Sequence, residues 1–229
     1  MSMFLRIGHR GARAYKPENT LSSFAYAVQL GANAVEFDVR RTRDGEVVVI
    51  HDETVDRVSD GTGLVRELTL EEIKRLRVDG EKIPTLREAL EFLDGRVDRI
   101  LVELKETGYE DHVLSVVEEC RLIDRVILIS FHEEALRNIQ AVDSRVKTGL
   151  IYVKHSSPIQ AALSLEADYL VAFHKFVHRR NVDQAHENKL KIIVWTINDP
   201  GEVARYVKMG VDGIASDRPD ILAEISLPK

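Results

Sequence analysis

The chain has 229 residues, 44% of them hydrophobic and 31% charged, with a formal net charge of -6. That length suits one large domain, and about 250 residues is typical of an eight-fold barrel. No apolar run approaches the roughly 18 to 20 residues of a membrane span, so no stable membrane insertion is expected, and the acidic balance argues against nucleic acid, which needs a basic face. The start, Met1-Ser2-Met3, lacks the basic, apolar and small-residue segments of a secretory signal, so a cytoplasmic location is expected. The single cysteine, Cys120, excludes an internal disulfide. It continues the apolar stripe Val113, Val116, Val117 and reads as an inert core thiol. No pattern in the chain specifies an oligomeric state.

Short β-rich runs alternate with amphipathic helical patterns, the signature of βα units around a parallel sheet. Strand one, at 4–7, leads into His9-Arg10-Gly11, where the glycine permits a tight turn. Asn19 or Thr20 caps the first helix, whose stripe is Leu21, Phe24, Ala25, Val28. Strand two, at 34–39, carries Glu36 and Asp38, and a second β run at 46–50 leads into His51-Asp52. Residues 53–84 then break the rhythm as an insertion, with turn signals at Ser59-Asp60-Gly61-Thr62-Gly63 and Asp79-Gly80 and a short helix opened by Thr69 with Glu72. It is too short to carry a core of its own. It reads either as a cap over a barrel mouth or as a plain surface excursion.

Thr85 with Glu88 opens the next helix, on the stripe Leu86, Ala89, Leu90, Leu93, and strand three, at 99–104, delivers Glu103 and then Lys105. Further strands are predicted at 125–130, 146–151, 169–172, 191–195 and 213–216. Ser130 with Glu133 has the spacing of a capping box, and Asp199, Pro200 and Glu202 place a cap, an N1 proline and an N3 acid in order. Eight strands without a linker predict an α/β fold: one (β/α)8 TIM barrel over 1–229, with a short insertion after strand two.

In a parallel barrel, polar residues at successive strand tips converge on one rim. Glu36 and Asp38 are two apart and share a face, and Glu103 with Lys105 repeats that geometry. Three crowded carboxylates repel unless a pKa rises or a cation sits between them. Oxygen-only ligands favour Mg²⁺ or Ca²⁺ over zinc. His9 and His51 both fall beside this cluster, and an imidazole pKa of about 6.5 lets two of them act as general base and general acid. Arg10 can grip phosphate oxygens in bidentate fashion, with Lys105 as a second positive charge; both can equally pair with the neighbouring carboxylates. Trp195, ending strand seven, either walls a small polyol or packs under the rim, and Phe131 poses the same choice. His174, Lys175, His178, Arg179 and Arg180 form a basic loop after strand six, either drawing in an anionic substrate or simply solvated.

Together these residues resemble the glycerophosphodiester phosphodiesterase family. The resemblance runs through His9-Arg10-Gly11, Pro17-Glu18-Asn19-Thr20, Glu36-Phe37-Asp38-Val39, Thr42-Arg43-Asp44-Gly45, His51-Asp52 and Asp56-Arg57, then Ile83-Pro84-Thr85-Leu86, Glu103-Leu104-Lys105 and Val194-Trp195-Thr196. It ends in Gly210-Val211-Asp212-Gly213-Ile214 and Ser216-Asp217-Arg218-Pro219. It implies a barrel with His9 and His51 as the acid–base pair, Glu36, Asp38 and Glu103 as ligands to Mg²⁺ or Ca²⁺, and Arg10 and Lys105 on the phosphate. The implied partner is a small glycerophosphodiester, hydrolysed to glycerol 3-phosphate and an alcohol, and the implied role of the insertion is a variable cap. Two other readings share the scaffold. A lysophospholipase of the D type would be favoured by an apolar mouth or membrane-facing stripe, neither of which stands out in the sequence. A non-catalytic binding protein would be favoured by loss of a histidine or carboxylate, and all are present.

Overall fold

The computed structural model describes residues 3–225. Eight parallel strands form its centre: β1 (Leu5–His9), β2 (Ala34–Arg41), β3 (Arg99–Leu104), β4 (Val126–Ser130), β5 (Lys147–Tyr152), β6 (Tyr169–Phe173), β7 (Lys191–Trp195) and β8 (Gly213–Ser216). Each pairs with its neighbours in chain order, and β8 pairs with β1, Leu5 opposite Gly213, so the sheet closes on itself. The predicted (β/α)8 barrel is the fold observed. Helices on the outside follow the strands, the longest being Glu110–Glu119, Glu133–Val142 and Pro200–Met209.

Period-two alternation divides each strand between two cores. Inward residues such as Leu5, Ile7, Leu101, Ile127, Ile151, Val171 and Ile193 fill the barrel. Outward ones, including Phe37, Val102, Leu128 and Ile192, pack under the helices with Phe24, Leu90 and Val113. Phe24 and Phe37 meet at 5.4 Å between ring centroids, and burying each such side chain contributes about 1.5–3 kcal/mol.

Helix starts follow the sequence signals with one exception. Thr20 accepts from the Ser23 amide, Thr69 with Glu72 and Thr85 with Glu88 form complete capping boxes, and Asp199 accepts from the Glu202 amide. Ser130 does not cap the helix Glu133–Val142, which starts at His132 without a side-chain bond. Its hydroxyl is engaged elsewhere, donating to the Leu104 carbonyl at 2.8 Å and accepting from the His132 amide at 3.0 Å. Strand β1 also runs two residues beyond its predicted end, which brings His9 into register opposite Glu36.

The insertion is preceded by the short strand Val47–Val49, antiparallel to β2. A helix at Leu70–Arg75 follows, then a small hairpin of Arg77–Val78 and Glu81–Lys82. Asp79 and Gly80 both have positive φ, 48° and 84°, as a tight two-residue hairpin turn requires. The segment has no core of its own but shares one with the preceding β run. Val55, Val65, Ile73, Val78 and Ile83 bury against Val48 and Ile50 of the preceding β run, which supplies the apolar surface the segment alone lacks.

Candidate active site

The inward face of each strand starts apolar at the barrel's base and turns polar or aromatic at its C-terminal tip. On β1 the series is Leu5, Ile7, His9; on β2, Ala34, Glu36, Asp38; on β3, Leu101, Glu103 and then Lys105; on β7, Ile193, Trp195. The tips enclose a cavity of about 230 Å³. His9, Arg10, Glu36, His51, Glu103 and Lys105 line one side of it, Phe131 and Trp195 the other, and Leu101, Ile129, Ile151, Val171, Ile193 and Ala215 its floor. His9, Arg10, Glu36, His51, Glu103, Lys105, Phe131 and Trp195, all singled out in the sequence, therefore border one space; Asp38 pairs with the Arg10 and Lys105 that line it, and the basic loop at 174–180 lies outside it.

Glu36, Asp38 and Glu103 are buried and present one oxygen each within 4.8 Å of one another. Unit charges at that spacing repel by about 3 kcal/mol at an effective dielectric of about 20, so local cations and protons decide their state. The Arg10 amide donates to Glu36 Oε2 at 3.0 Å, and its guanidinium Nε lies 3.2 Å from Asp38 Oδ2. That approach is misdirected for a hydrogen bond, which leaves Arg10 Nε a buried donor without an acceptor. Asn19 donates to Asp38 at 3.0 Å, and Lys105 Nζ lies 2.5 Å from Glu103 and 3.5 Å from Asp38.

Burial raises all three carboxyls, but Arg10, Lys105, His51 and the Asn19 bond outweigh it at Asp38, which is held below its ordinary value. At Glu36 burial, then Asp38 and Glu103, win, and its pKa is well raised. Glu103, buried and facing Asp38, is pushed up to about 7 against the pull of Lys105. An ionised carboxylate beside two that burial and mutual repulsion keep from ionising is the donor set a hard divalent cation suits. Glu36, Asp38 and Glu103 fit such an ion.

Each histidine has its Nδ1 held by a carboxylate. His9 Nδ1 is 2.7 Å from Asp217 Oδ1, just past β8, and its Nε2 is 4.0 Å from Glu36 Oε2. Asp217 also accepts from Asn198 at 2.8 Å. Burial alone would raise it, but the bonds from His9 and Asn198 hold it below the usual carboxylate range. His51 Nδ1 is 2.6 Å from Asp52 Oδ1, and Arg57 grips Asp52 through Nε at 2.5 Å. That Arg57 bond, with His51 adding to it against burial, depresses Asp52 strongly. Arg57 continues to Glu18 at 2.7 Å, and Glu18 accepts from Arg10 Nη1 at 2.9 Å. An unbroken line of alternating charge thus joins His51 to Arg10. His51 itself is lowered, by burial first and then by Arg10 and Lys105, over the opposing pull of Asp38 and Asp52.

The sequence alone assigns no individual role to Asp217, Asp52, Glu18 or Arg57. Asp217 carries a usable signal, since it continues the inward series of β8 from Gly213 and Ala215. Of the basic loop, His174 is buried, its ring bonded to the Trp195 carbonyl at 3.0 Å, while Lys175, His178, Arg179 and Arg180 are exposed. Gly11, at φ 83°, packs against Ser23 so closely that a Cβ would overlap it, which fixes the turn carrying Arg10.

The pattern of the glycerophosphoryl diester phosphodiesterase family matches residues 9–221. A glycerophosphodiester phosphodiesterase of Caldanaerobacter subterraneus is 37% identical over 235 residues, covering 96% of this chain and 97% of its own. The crystal structure of a glycerophosphodiester phosphodiesterase from Agrobacterium tumefaciens superposes with a TM-score of 0.86 at 30% identity, covering 98% of this chain and 100% of its own. A phosphodiesterase of Oleispira antarctica, solved with the product sn-glycerol-3-phosphate, gives a TM-score of 0.86 at 29% identity, covering 93% of each chain. Among the described residues no helix is long and apolar enough to cross a membrane.

Proposed function

The chain belongs to the glycerophosphoryl diester phosphodiesterase family, and from that premise we propose that it hydrolyses glycerophosphodiesters to glycerol 3-phosphate and an alcohol. The observation that carries this reading is the convergence of three buried carboxylates with two histidines, each oriented through Nδ1 by its own aspartate. The product bound by the Oleispira enzyme is the product proposed here.

In this reading a divalent cation, Mg²⁺ or Ca²⁺, is held by Glu36, Asp38 and Glu103 and supplies Lewis acidity toward the phosphoryl oxygens. Arg10 and Lys105 provide further positive charge for the oxyanion, with Arg10 Nε free to take an acceptor. With Nδ1 tied to a carboxylate, each histidine carries its proton there and presents Nε2 to the substrate. One Nε2 takes the proton of the attacking oxygen and the other returns a proton to the departing alkoxide, a pair of transfers worth about 10²–10⁴-fold each. The attacking oxygen belongs to water or to the vicinal glycerol hydroxyl, the latter through a cyclic phosphate. Trp195 walls the carbon skeleton of the glycerol. The whole chain acts as one catalytic unit, to which the insertion contributes Arg57.

The test is release of glycerol 3-phosphate from glycerophosphocholine and glycerophosphoethanolamine with Mg²⁺, Ca²⁺ or EDTA, comparing wild type with His9→Ala and Glu36→Ala. Metal-dependent turnover lost in both variants is expected. Wild-type inactivity on both substrates with every metal would sink the reading in favour of a binding protein or another diester.

A further inference from the structure

The two histidines of the site are anchored unequally. His9 belongs to β1, and its main chain is held in the barrel sheet in register with Glu36 of β2. His51 lies beyond the sheet. The run Val47–Val49 pairs with β2, the Ile50 amide adds a last bond to the Asp38 carbonyl at 3.0 Å, and the chain then leaves for the insertion. Among the described residues no backbone group bonds to the His51 peptide. Its carbonyl accepts instead from a side chain, Arg40 Nε, at 2.9 Å.

Arg40 continues the inward series of β2 beyond Ala34, Glu36 and Asp38, and only 8% of it is exposed. A buried guanidinium so close to Asp38 could serve as charge balance for the carboxylate cluster. Its contacts lead elsewhere. Among the described residues Arg40 makes no ion pair with Glu36, Asp38 or Glu103, whose cations are Arg10 and Lys105. Its Nε goes to the His51 carbonyl, and its Nη1 faces Glu106 Oε2, 3.6 Å away in the loop after β3. Glu106 is itself held, accepting from the Arg41 amide at 3.1 Å. The rigid planar fork of Arg40 thus braces the main chain at His51 against the loop that follows Lys105. A lysine, a single point charge, could serve only one of the two partners at a time.

We propose that Arg40 is a positioning residue for His51, setting where the imidazole Nε2 stands relative to the reacting phosphoryl group. The inference rests on the proposed hydrolase activity and on the use of His51 in it. Arg40 does not line the site cavity, so its effect on turnover passes through what it holds. The line from Asp52 through Arg57 to Glu18 steadies the His51 side chain from the β1 side. Arg40 steadies the main chain beneath it from the side of β2 and β3.

The experiment measures kcat and KM on glycerophosphocholine with saturating Mg²⁺ for wild type, Arg40→Met and Arg40→Lys. Histidine-ring NMR spectra of each are recorded alongside, with His9→Ala and His51→Ala supplying the assignments. Arg40→Met keeps the apolar stem and removes every donor. It is expected to lose about 10²-fold in kcat, the scale of an ångström-sized misplacement of a catalytic group, with KM unchanged. Arg40→Lys should recover part of that loss. The His51 ring signals should move in Arg40→Met while those of His9 stay in place, which a general loosening of the barrel would not produce. An Arg40→Met protein with wild-type kcat, or one in which both histidines shift alike, overturns the proposal and leaves the hydrolase reading intact. If Arg40→Met does not fold, Arg40→Lys decides: an intermediate kcat with a shift confined to His51 is expected, and wild-type kcat overturns the proposal. A wild type without turnover overturns this inference together with the hydrolase reading.

Discussion

His9 Nδ1 and Asp217 Oδ1 lie 2.7 Å apart although 208 residues separate them in the chain. The contact fixes the tautomer and aim of the ring while leaving the carboxylate charged. Replacing Asp217 with Asn keeps the shape but removes the acceptor that holds the proton on Nδ1. A fall in kcat on the order of 10²–10⁴ is expected for Asp217→Asn, by analogy with other histidine–aspartate pairs, with Tm nearly unchanged. A variant retaining most of its kcat would show that His9 needs no orienting carboxylate.

His51 has a pKa below that of an ordinary histidine in the metal-free protein. Between the two values the unfolded chain binds a proton that the folded one does not, so stability is full above about pH 6.5 and declines as pH falls toward the folded pKa. Ring NMR of the metal-free protein should place the His51 midpoint below that reference. Asp52→Asn should lower it further, because the Asp52 bond works to raise it. A midpoint that rises in the variant would contradict this.

Glu103, pushed up to about 7, works in the opposite sense. Its folded pKa exceeds its unfolded one, so its contribution to stability is present at acid pH and is lost as pH rises through that value. A divalent cation displaces the protons this cluster retains. It should raise Tm little at about pH 5 and markedly at about pH 8, with about 2.7 kcal/mol expected at a hundredfold excess over Kd. Equal thermal shifts at both values would separate the ion from these carboxylates.

Ile73, fully buried in the small core of the insertion, does not line the site cavity. Ile73→Ala should cost about 2–5 kcal/mol, whereas Thr85→Ala, which removes a helix cap, should cost about 1 kcal/mol. Because Arg57 in the same segment holds Asp52 and Glu18, hydrogen exchange across 53–84 should quicken in Ile73→Ala together with a loss of kcat. Faster exchange with full activity would mean that the line of charge from His51 to Arg10 is dispensable.

Much of this site is legible in the amino-acid sequence, because strand parity alone puts Glu36, Asp38, Glu103 and Lys105 on the inner face and strand order puts their tips together. Parity says nothing of side-chain pairing across the rim. The bond from His9 to Asp217 depends on closure between the first and last strands, and Ser130 loses its expected capping role to the Leu104 carbonyl of the neighbouring strand. The core of the insertion is hidden for a related reason: Val48 and Ile50, which complete it, stand in a β run outside the segment. His174 reads as one more cation of a basic loop, and only its burial beneath Trp195 separates it from its exposed neighbours.

Closure of the ring by β1 against β8 also sets when the protein can work. A nascent chain leaving the ribosome carries both histidines and all three clustered carboxylates before half of it has been made. The aspartate that aims His9 arrives only with the last strand. If His9 acts as proposed, chemistry that depends on that contact is withheld from every shorter translation intermediate until the barrel shuts.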